Sequence, residues 1–126
     1  MKSNFTTVET GKKAEDIAAE HLEMLGYRII KRNFRIKTSE IDIIALDKDY
    51  LVFIEVRSKN ETVCGHPFET ISPGKQKKII SAARFFLMKN PEFSKHFCRF
   101  DAIALVKISD DKNCLIEHIK DAFQCT

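Results

Sequence analysis

Glu40-Ile-Asp-Ile-Ile-Ala-Leu46 and Leu51-Val-Phe-Ile-Glu-Val-Arg57 are the two segments that decide the fold of this chain. Both are rich in β-branched and aromatic residues, and the turn-prone residues Asp47-Lys-Asp-Tyr50 separate them. Apolar runs of this length on either side of a short polar turn are typical of paired β-strands. The sequence therefore predicts a hairpin of two buried strands that are apolar on both faces.

The register of this hairpin decides where its two carboxylates lie. If Leu46 pairs with Leu51, Asp42 lies directly opposite Glu55, because side chains alternate between the two faces of a strand. The same register places two further pairs on the other face, namely Ile43 with Ile54 and Ile41 with Val56. Like charges directly opposed across two strands are destabilising, and a divalent cation would compensate them.

A second interpretation of the two carboxylates needs no metal. They would form a surface pair at a frayed end of the sheet, neutralised by nearby lysine or arginine side chains. The same register places Glu40 opposite Arg57, so an ordinary cross-strand ion pair is available there. The residues alone leave the metal site and the surface pair equally open.

The rest of the chain alternates between helical and strand-like segments. Residues 10–25 have apolar positions at helical spacing, up to Leu25, and a second helix begins with Ser72 as its N-cap and Pro73 as its first residue. Strand-like segments cover residues 27–35, 99–108 and 114–119, and a long connection covers residues 58–71. The predicted order is helix, three strands, helix, two strands, which indicates an α/β fold with a mixed central sheet covered by helices.

Composition limits the classes of protein to consider. The chain has 126 residues, 44% of them apolar, and a formal net charge of +3. This length predicts one domain with its own core, and so small a charge does not by itself indicate nucleic-acid binding. No apolar run approaches the ~20 residues of a membrane helix, and the first ten residues lack a signal-peptide pattern. We therefore expect a soluble, cytoplasmic protein that does not bind membranes.

The four cysteines show no CxxC spacing, which favours free thiols in a cytoplasmic protein. Cys64-Gly-His66 and His96-Phe-Cys98 together offer four zinc ligands. Paired zinc ligands are usually separated by two or more residues, so this pattern predicts a zinc site only weakly.

Several charged residues outside the hairpin are candidates for the same site or for binding phosphate. Glu15 falls on the border of the apolar stripe of the first helix, from where its carboxylate could reach over the sheet. Basic residues crowd two places, the start of the second helix (Lys75, Lys77, Lys78) and the first strand with its exit (Arg28, Lys31, Arg32, Arg35, Lys37). Such groups bind phosphate, although both Glu15 and the basic runs are also compatible with ordinary solvated surfaces.

This constellation resembles the PD-(D/E)xK nuclease core, the restriction-endonuclease-like fold, in which a helix Glu precedes an Asp on one strand and Glu-x-Lys on the next. More closely, the chain resembles the YraN family of predicted endonucleases, in order from position 11 to about position 106. The motifs that carry the resemblance are Gly26-Tyr27, Asn33-Phe34-Arg35, Glu40-Ile-Asp-Ile-Ile-Ala45, Leu51-Val-Phe-Ile-Glu-Val56, Gly65, Lys75 and Arg99-Phe-Asp101. That family is similar in fold to archaeal Holliday junction resolvases.

The resemblance implies roles for individual residues. Asp42 and Glu55 match the metal-binding carboxylates, and Glu15 matches the helix-borne Glu. Lys75 matches the Lys that opens the second helix, and Arg57 stands where the pattern has its catalytic Lys. The implied catalytic set is thus Glu15, Asp42, Glu55 and Arg57, the implied metal ligands are Asp42 and Glu55, and the implied nucleic-acid-binding residues are Arg35, Lys75, Lys77 and Lys78.

The resemblance also implies an activity, namely hydrolysis of phosphodiester bonds in DNA, branched or single-stranded, by an endonuclease that depends on Mg²⁺ or Mn²⁺. It implies one nuclease-like domain over residues 1–126, with a core of about residues 10–120, and a homodimer by analogy with the resolvases. Arg57 is a departure from the pattern, because a guanidinium stays protonated and cannot act as a general base. It can still bind a phosphate oxygen, and Lys59 or Lys75 could replace the missing lysine. The alternative is a catalytically weak or inactive DNA-binding protein or adaptor that retains the nuclease fold.

Overall fold

A six-stranded mixed sheet with strand order β1-β6-β5-β4-β3-β2 forms the centre of the protein, and one long helix covers each face. The structure is a computed structural model that describes residues 3–9, 13–60, 71–107 and 113–124. Neighbouring strands are antiparallel except β4 and β5, which are parallel and are connected through α2. The elements are β1 (Ser3–Glu9), α1 (Ala14–Met24), β2 (Arg28–Ile36), β3 (Ser39–Asp47), β4 (Tyr50–Asn60), α2 (Pro73–Lys89), a 3₁₀ turn (Pro91–Phe93), β5 (Phe97–Lys107) and β6 (Asn113–Phe123).

The predicted α/β class is confirmed, and so is the hairpin register from Leu46 opposite Leu51 to Ile43 opposite Ile54. The sequence missed β1, a short segment that pairs with β6 at the edge of the sheet, so the predicted element order was incomplete. The first helix begins at Ala14, later than predicted, and Leu25 lies beyond its last turn and is about half exposed. The predicted connection over residues 58–71 begins later, because β4 continues to Asn60, and residues 61–70 lie outside the described residues.

Two apolar layers explain why both faces of β3 and β4 are hydrophobic. On one face α1 packs Ile17, Ala18 and Leu22 against the sheet, and on the other α2 packs Ile79, Ala82, Ala83 and Phe86. A strand buried on both faces has an almost continuous apolar sequence, which is the pattern seen in β3 and β4. None of the helices in the described ranges is long and apolar enough to cross a membrane.

The alternation of side chains is broken in β3 at Asp42. Ile43 packs in the layer under α1, whereas Ile41, two residues earlier, packs in the layer under α2. Residues two apart on a regular strand share a face, so the strand changes face at Asp42. On β2, Asn33 lies between Arg32 and Phe34, the partners of Ile43 and Ile41, and has a positive φ of 55°.

This change of face corrects one detail of the predicted register. The sequence placed Ile41 and Val56 together on one face, but Ile41 packs towards α2 and Val56 packs towards α1. The prediction assumed a regular strand throughout, whereas β3 changes face at Asp42.

Candidate functional site

Asp42 and Glu55 lie at the β3–β4 fork, the point just beyond Ile43 and Ile54 where the two strands are no longer paired. Glu55 lies between Ile54 and Val56, whose side chains face α1, so its own side chain faces α2. Asp42 occupies the position at which β3 changes face. The first turns of both helices also reach this region, because Glu15 of α1 acts electrostatically on Asp42 and Lys75 of α2 contacts Glu55.

Asp42 is half-buried, and its Oδ2 accepts a hydrogen bond from the backbone N–H of Val56 at 2.7 Å. The side chain therefore binds a main-chain donor of β4 just past the last paired residues. The pKa of Asp42 is raised to about 6, chiefly by burial and also by the negative charges of Glu55, Glu15 and Glu40, while the hydrogen bond from the Val56 N–H opposes the rise. Ionisation of a carboxyl group in this environment is unfavourable unless a cation lies beside it.

Glu55 is the most deeply buried carboxylate of the fork, with only 7% of its surface exposed. Its Oε2 lies 2.9 Å from Nζ of Lys75 and 3.9 Å from Nε of Arg57. Two cations from different elements, α2 and β4, thus meet one oxygen atom. The distance to Lys75 is that of a charge-assisted hydrogen bond, whereas the distance to Arg57 indicates proximity without one.

The start of α2 is fixed by several hydrogen bonds, which determine where Lys75 lies. Ser72 caps the helix by accepting the N–H of Lys75 at 3.2 Å, and Pro73 follows it, as the sequence predicted. Gln76 donates to the carbonyl of Ile71 at 2.7 Å, and Ser39 of β3 donates to the carbonyl of Lys78 at 2.8 Å. The first turns of α2 are therefore attached to the same strand that carries Asp42.

The sequence predicted a cross-strand ion pair between Glu40 and Arg57, whereas in the structure Glu40 pairs with Arg35. Glu40 lies opposite Arg35 on β2 and accepts a hydrogen bond from its Nε, while Arg57 lies near Glu55. Arg35 also interacts electrostatically with Glu15, so this exposed arginine lies beside the acidic residues of the fork. Lys77 and Lys78 are exposed on α2, where their predicted contact with nucleic acid stays a prediction.

The residues of the fork fit a hard divalent cation with few protein ligands. No group of three or more His, Cys, Asp or Glu side chains suitable for chelation occurs among the described residues, and Cys64 and His66 of the weak zinc pattern lie outside them. Mg²⁺ retains several waters and commonly takes only one or two carboxylates. Asp42, with a raised pKa and one oxygen already bound to Val56, and Glu55, already paired with a cation, supply that donor set.

A second polar cluster, which the sequence did not predict as a unit, surrounds Asp101 on β5. Its carboxylate accepts hydrogen bonds from Nε and Nη2 of Arg99 at 2.8 and 3.0 Å and from the N–H of Asp121 at 3.0 Å, and it lies 2.9 Å from Nε2 of His118. Arg99 also donates to Asp47 and to the hydroxyl of Tyr27. Both oxygens of the Asp101 carboxylate are thus engaged inside the protein, which is the arrangement of a structural cluster.

A cavity of about 510 Å³ borders this second cluster, lined by the aromatic side chains of Tyr50, Phe97, Phe100 and Phe123 together with Arg99. It lies at the start of β4, whereas the fork lies five residues further along the same strand. None of the predicted site residues lines it. The cavity therefore does not belong to the candidate site.

Sequence reasoning missed the contact between Lys75 and Glu55. The sequence predicted all three lysines at the start of α2 as nucleic-acid-binding residues and matched Lys75 to the family's lysine, but it did not predict that Lys75, alone of the three, contacts a carboxylate of the fork. A signal for this difference was present, because the Ser72-Pro73 cap fixes the first helical residue and therefore the direction of each side chain. What the sequence lacked was the position of α2 over the sheet.

Comparison with known proteins gives a consistent family match. The sequence model of a family described as "Uncharacterised protein family UPF0102" matches residues 14–105. Relatives called UPF0102 protein include one from Chlorobium limicola, 46% identical over 117 residues, which are 90% of each chain. Another from Prosthecochloris aestuarii is 44% identical over 120 residues (91% of this chain, 93% of the relative), and one from Clostridium botulinum is 40% identical over 121 residues (96% and 98%).

Proposed function

The chain belongs to the uncharacterised protein family UPF0102, and we propose that it is a divalent-metal-dependent nuclease that hydrolyses phosphodiester bonds in DNA. The observation that carries the proposal is the β3–β4 fork, where Asp42 has a raised pKa and the neighbouring Glu55 contacts Lys75 and Arg57. A carboxyl group with a strongly perturbed pKa beside other charged groups, such as Asp42, is typical of a functional site. The resemblance to the YraN family and to the PD-(D/E)xK core supports the same reaction.

The acidic and basic residues of the fork would have different tasks. Asp42 and Glu55 would hold Mg²⁺ or Mn²⁺, with Glu15 adding negative charge from α1. A bound cation of this kind lowers the pKa of a water ligand and withdraws charge from a phosphate oxygen. Arg57 would bind a non-bridging oxygen of the scissile phosphate, because a guanidinium is a permanent donor with a geometry suited to phosphate.

The basic residues around the fork would bind the DNA backbone. Arg35, Lys77 and Lys78 are exposed and lie on the strand and helix that flank the carboxylates. Contacts to phosphate position a nucleic acid without reading its sequence. Recognition of DNA shape, in branched or single-stranded substrates, is therefore the expected mode, and the similarity to resolvases supports a homodimer as the acting form.

A cleavage assay with a panel of substrates tests this proposal. Linear, nicked, flapped, four-way and single-stranded DNA would be incubated with the protein and Mg²⁺ or Mn²⁺, with EDTA as the metal-free control. We expect cleavage that requires metal and that falls by at least about a hundredfold in Asp42→Asn and Glu55→Gln, since both remove metal ligands. Asp49→Asn, which removes an exposed carboxylate from the β3–β4 turn, is the matched control and should cleave normally.

The alternative function is a DNA-binding protein or adaptor without nuclease activity. It is favoured by Arg57, which stands at the position of the catalytic lysine, and by the existing partners of Glu55. Metal-independent DNA binding without cleavage of any substrate in the panel would assign this alternative. Absence of both binding and cleavage would exclude DNA as the partner.

A further inference from the structure

The ion pair between Lys75 and Glu55 occupies an atom that the proposed metal site needs. Nζ of Lys75 lies 2.9 Å from Oε2 of Glu55, whose side chain is 8% exposed, while the lysine side chain is 51% exposed. The carboxylate is therefore fixed inside the fork, and the ammonium reaches it from the solvent side. Of the two partners, Lys75 is the one that has room to leave.

A divalent cation and an ammonium group cannot share this oxygen at short distance. Both are positively charged, and their mutual repulsion inside a partly buried fork is weakly screened. The lysine has a flexible four-carbon stem and three rotatable donors, so it can turn away without moving the start of α2. Ser72 and Gln76 keep that helix end in place independently of the lysine side chain.

We propose that Lys75 and the divalent cation compete for Glu55, and that cation binding transfers the Lys75 ammonium from Glu55 to the phosphate of the DNA. The proposal rests on the proposed function, since it concerns the same carboxylates. It gives Lys75 two roles in sequence. In the metal-free protein it neutralises Glu55 and lowers metal affinity, and in the metal-loaded protein it contributes a positive charge to the substrate site.

Thermodynamic linkage relates the effect of Lys75 on metal affinity to the effect of metal on the Lys75–Glu55 pair. If metal binding releases Lys75, then Lys75 must weaken metal binding by the same factor by which metal weakens the Lys75–Glu55 pair. For the same reason, the contribution of Lys75 to DNA binding must depend on whether metal is present. A lysine that contacted phosphate independently of Glu55 would show neither dependence.

The first experiment measures Mn²⁺ affinity by titration calorimetry at pH 8 in the absence of DNA. Lys75→Met should bind Mn²⁺ at least about fivefold more tightly than the natural protein, because the competing ammonium is gone. Lys89→Met, the same change in the last turn of α2, is the matched control and should leave the affinity unchanged. Unchanged or weaker Mn²⁺ binding in Lys75→Met would overturn the proposal.

The second experiment measures binding of four-way DNA with Ca²⁺ and with EDTA. In Ca²⁺, Lys75→Met should weaken binding and lower the slope of log binding constant against log salt concentration by about one, the value for one phosphate contact. In EDTA, its binding should stay close to that of the natural protein. An equal loss under both conditions would mean that Lys75 is an ordinary phosphate contact and that no transfer occurs. No loss under either condition would also contradict the transfer.

A third measurement uses the unaltered protein and so does not depend on the folding of a variant. Limited acetylation with acetic anhydride, read by mass spectrometry, should modify Lys75 faster after Mg²⁺ is added, with Lys89 as the internal reference. The same rate with and without Mg²⁺ would refute the release of Lys75. These outcomes are independent of cleavage. If the protein shows the Mn²⁺ competition but never cuts DNA, only the proposed nuclease function is wrong. If it cuts DNA without the competition, only the inference about Lys75 is wrong.

Discussion

At the scale of the residue, the ionised form of Asp42 lowers the stability of the folded protein. Its pKa is raised from 3.8 to about 6, chiefly by burial and also by three neighbouring carboxylates. The folded protein therefore binds a proton more readily than the unfolded chain between about pH 4 and 6. Stability consequently falls as the pH rises through this window, and the full penalty is present above it.

Asp42→Asn should therefore stabilise the metal-free protein at pH 8. Two units of pKa correspond to about 3 kcal/mol, and partial exposure reduces the expected gain in the free energy of unfolding to about 1–2 kcal/mol. Urea unfolding in EDTA measures it, and the gain should disappear below about pH 4, where Asp42 is protonated in both states. Asp49→Asn provides the comparison for a general charge effect. A destabilised Asp42→Asn at pH 8 would mean that the carboxylate is compensated in the metal-free protein.

Divalent metal should raise the melting temperature of the natural protein and should fail to do so in Asp42→Asn. A ligand that binds only the folded state stabilises it, and a Mn²⁺ ion held as proposed would remove the repulsion between Asp42 and Glu55. Because the metal requires the ionised carboxylate, the increase should be full above pH 7 and should decline as the pH falls through about 6. A melting-temperature series in millimolar Mn²⁺ tests both statements. An equal increase in the variant would show that the ion binds elsewhere.

Arg57→Lys tests the departure from the nuclease pattern. If Arg57 stands in for a catalytic lysine, the variant places a compact ammonium near Glu55 and should cleave DNA at least as fast as the natural protein. DNA binding should change little, since backbone affinity is spread over several basic residues. Single-turnover cleavage and equilibrium binding measure the two effects. A clear loss of cleavage in a folded Arg57→Lys protein would show that the guanidinium itself is required.

Most candidate residues could be identified from the sequence because their types and spacing are informative. Asp42 and Glu55 stand out as acidic residues within apolar strands, which is visible without knowledge of the packing. The pairing of Lys75 with Glu55 could not be predicted in the same way, because it depends on where α2 lies over the sheet. The sequence identified the groups, and the tertiary structure determines which of them meet.

At the scale of the element, the change of face in β3 places Asp42 in the fork. Beside it on β2 lies Asn33, between the partners of Ile43 and Ile41, with a left-handed φ of 55°. Asparagine adopts a positive φ more readily than most residues, whereas β-branched residues rarely adopt it. Irregularities of this kind are common beside functional sites because they redirect a side chain. The hairpin and both helices were predictable from periodicity, but this irregularity has no periodic signal.

Asn33→Val should destabilise the protein by about 1–2 kcal/mol, because valine must adopt a strained φ or force β2 to become regular. Asn33→Gly should stay within about 0.5 kcal/mol of the natural protein, since glycine adopts positive φ freely. Lys31→Val, at another exposed position of β2, controls for the change in side-chain chemistry. Urea unfolding provides the three values. Equal stability of Asn33→Val and Lys31→Val would contradict a conformational requirement at Asn33.

At the scale of the whole molecule, the sheet carries two polar clusters with opposite properties. The fork gathers negative charge and raises the pKa of Asp42, whereas the cluster around Asp101 satisfies its carboxylate fully. Burial alone would raise the pKa of Asp101, but hydrogen bonds from His118, Arg99 and the N–H of Asp121 hold it below its usual value. In the fork a carboxyl group is thus held among other negative charges, whereas the second cluster joins β5, β6 and the β3–β4 turn through hydrogen bonds.

Asp101→Asn should accordingly be among the most destabilising single changes in the protein. It leaves the Arg99 guanidinium with less compensation inside the fold and cannot accept all the existing hydrogen bonds, so about 3–5 kcal/mol should be lost at pH 7. Since the folded pKa of Asp101 lies below 3.8, its contribution is present above about pH 4 and is lost as the pH falls through the folded value. The difference between the natural protein and the variant should therefore shrink at pH 3, as urea unfolding at the two pH values would show. Asp121→Asn removes an exposed carboxylate next to the same cluster, at a positive φ that asparagine tolerates, and should change stability by less than about 1 kcal/mol. If Asp101→Asn were as mild as this control, the Asp101 carboxylate would not hold the cluster together.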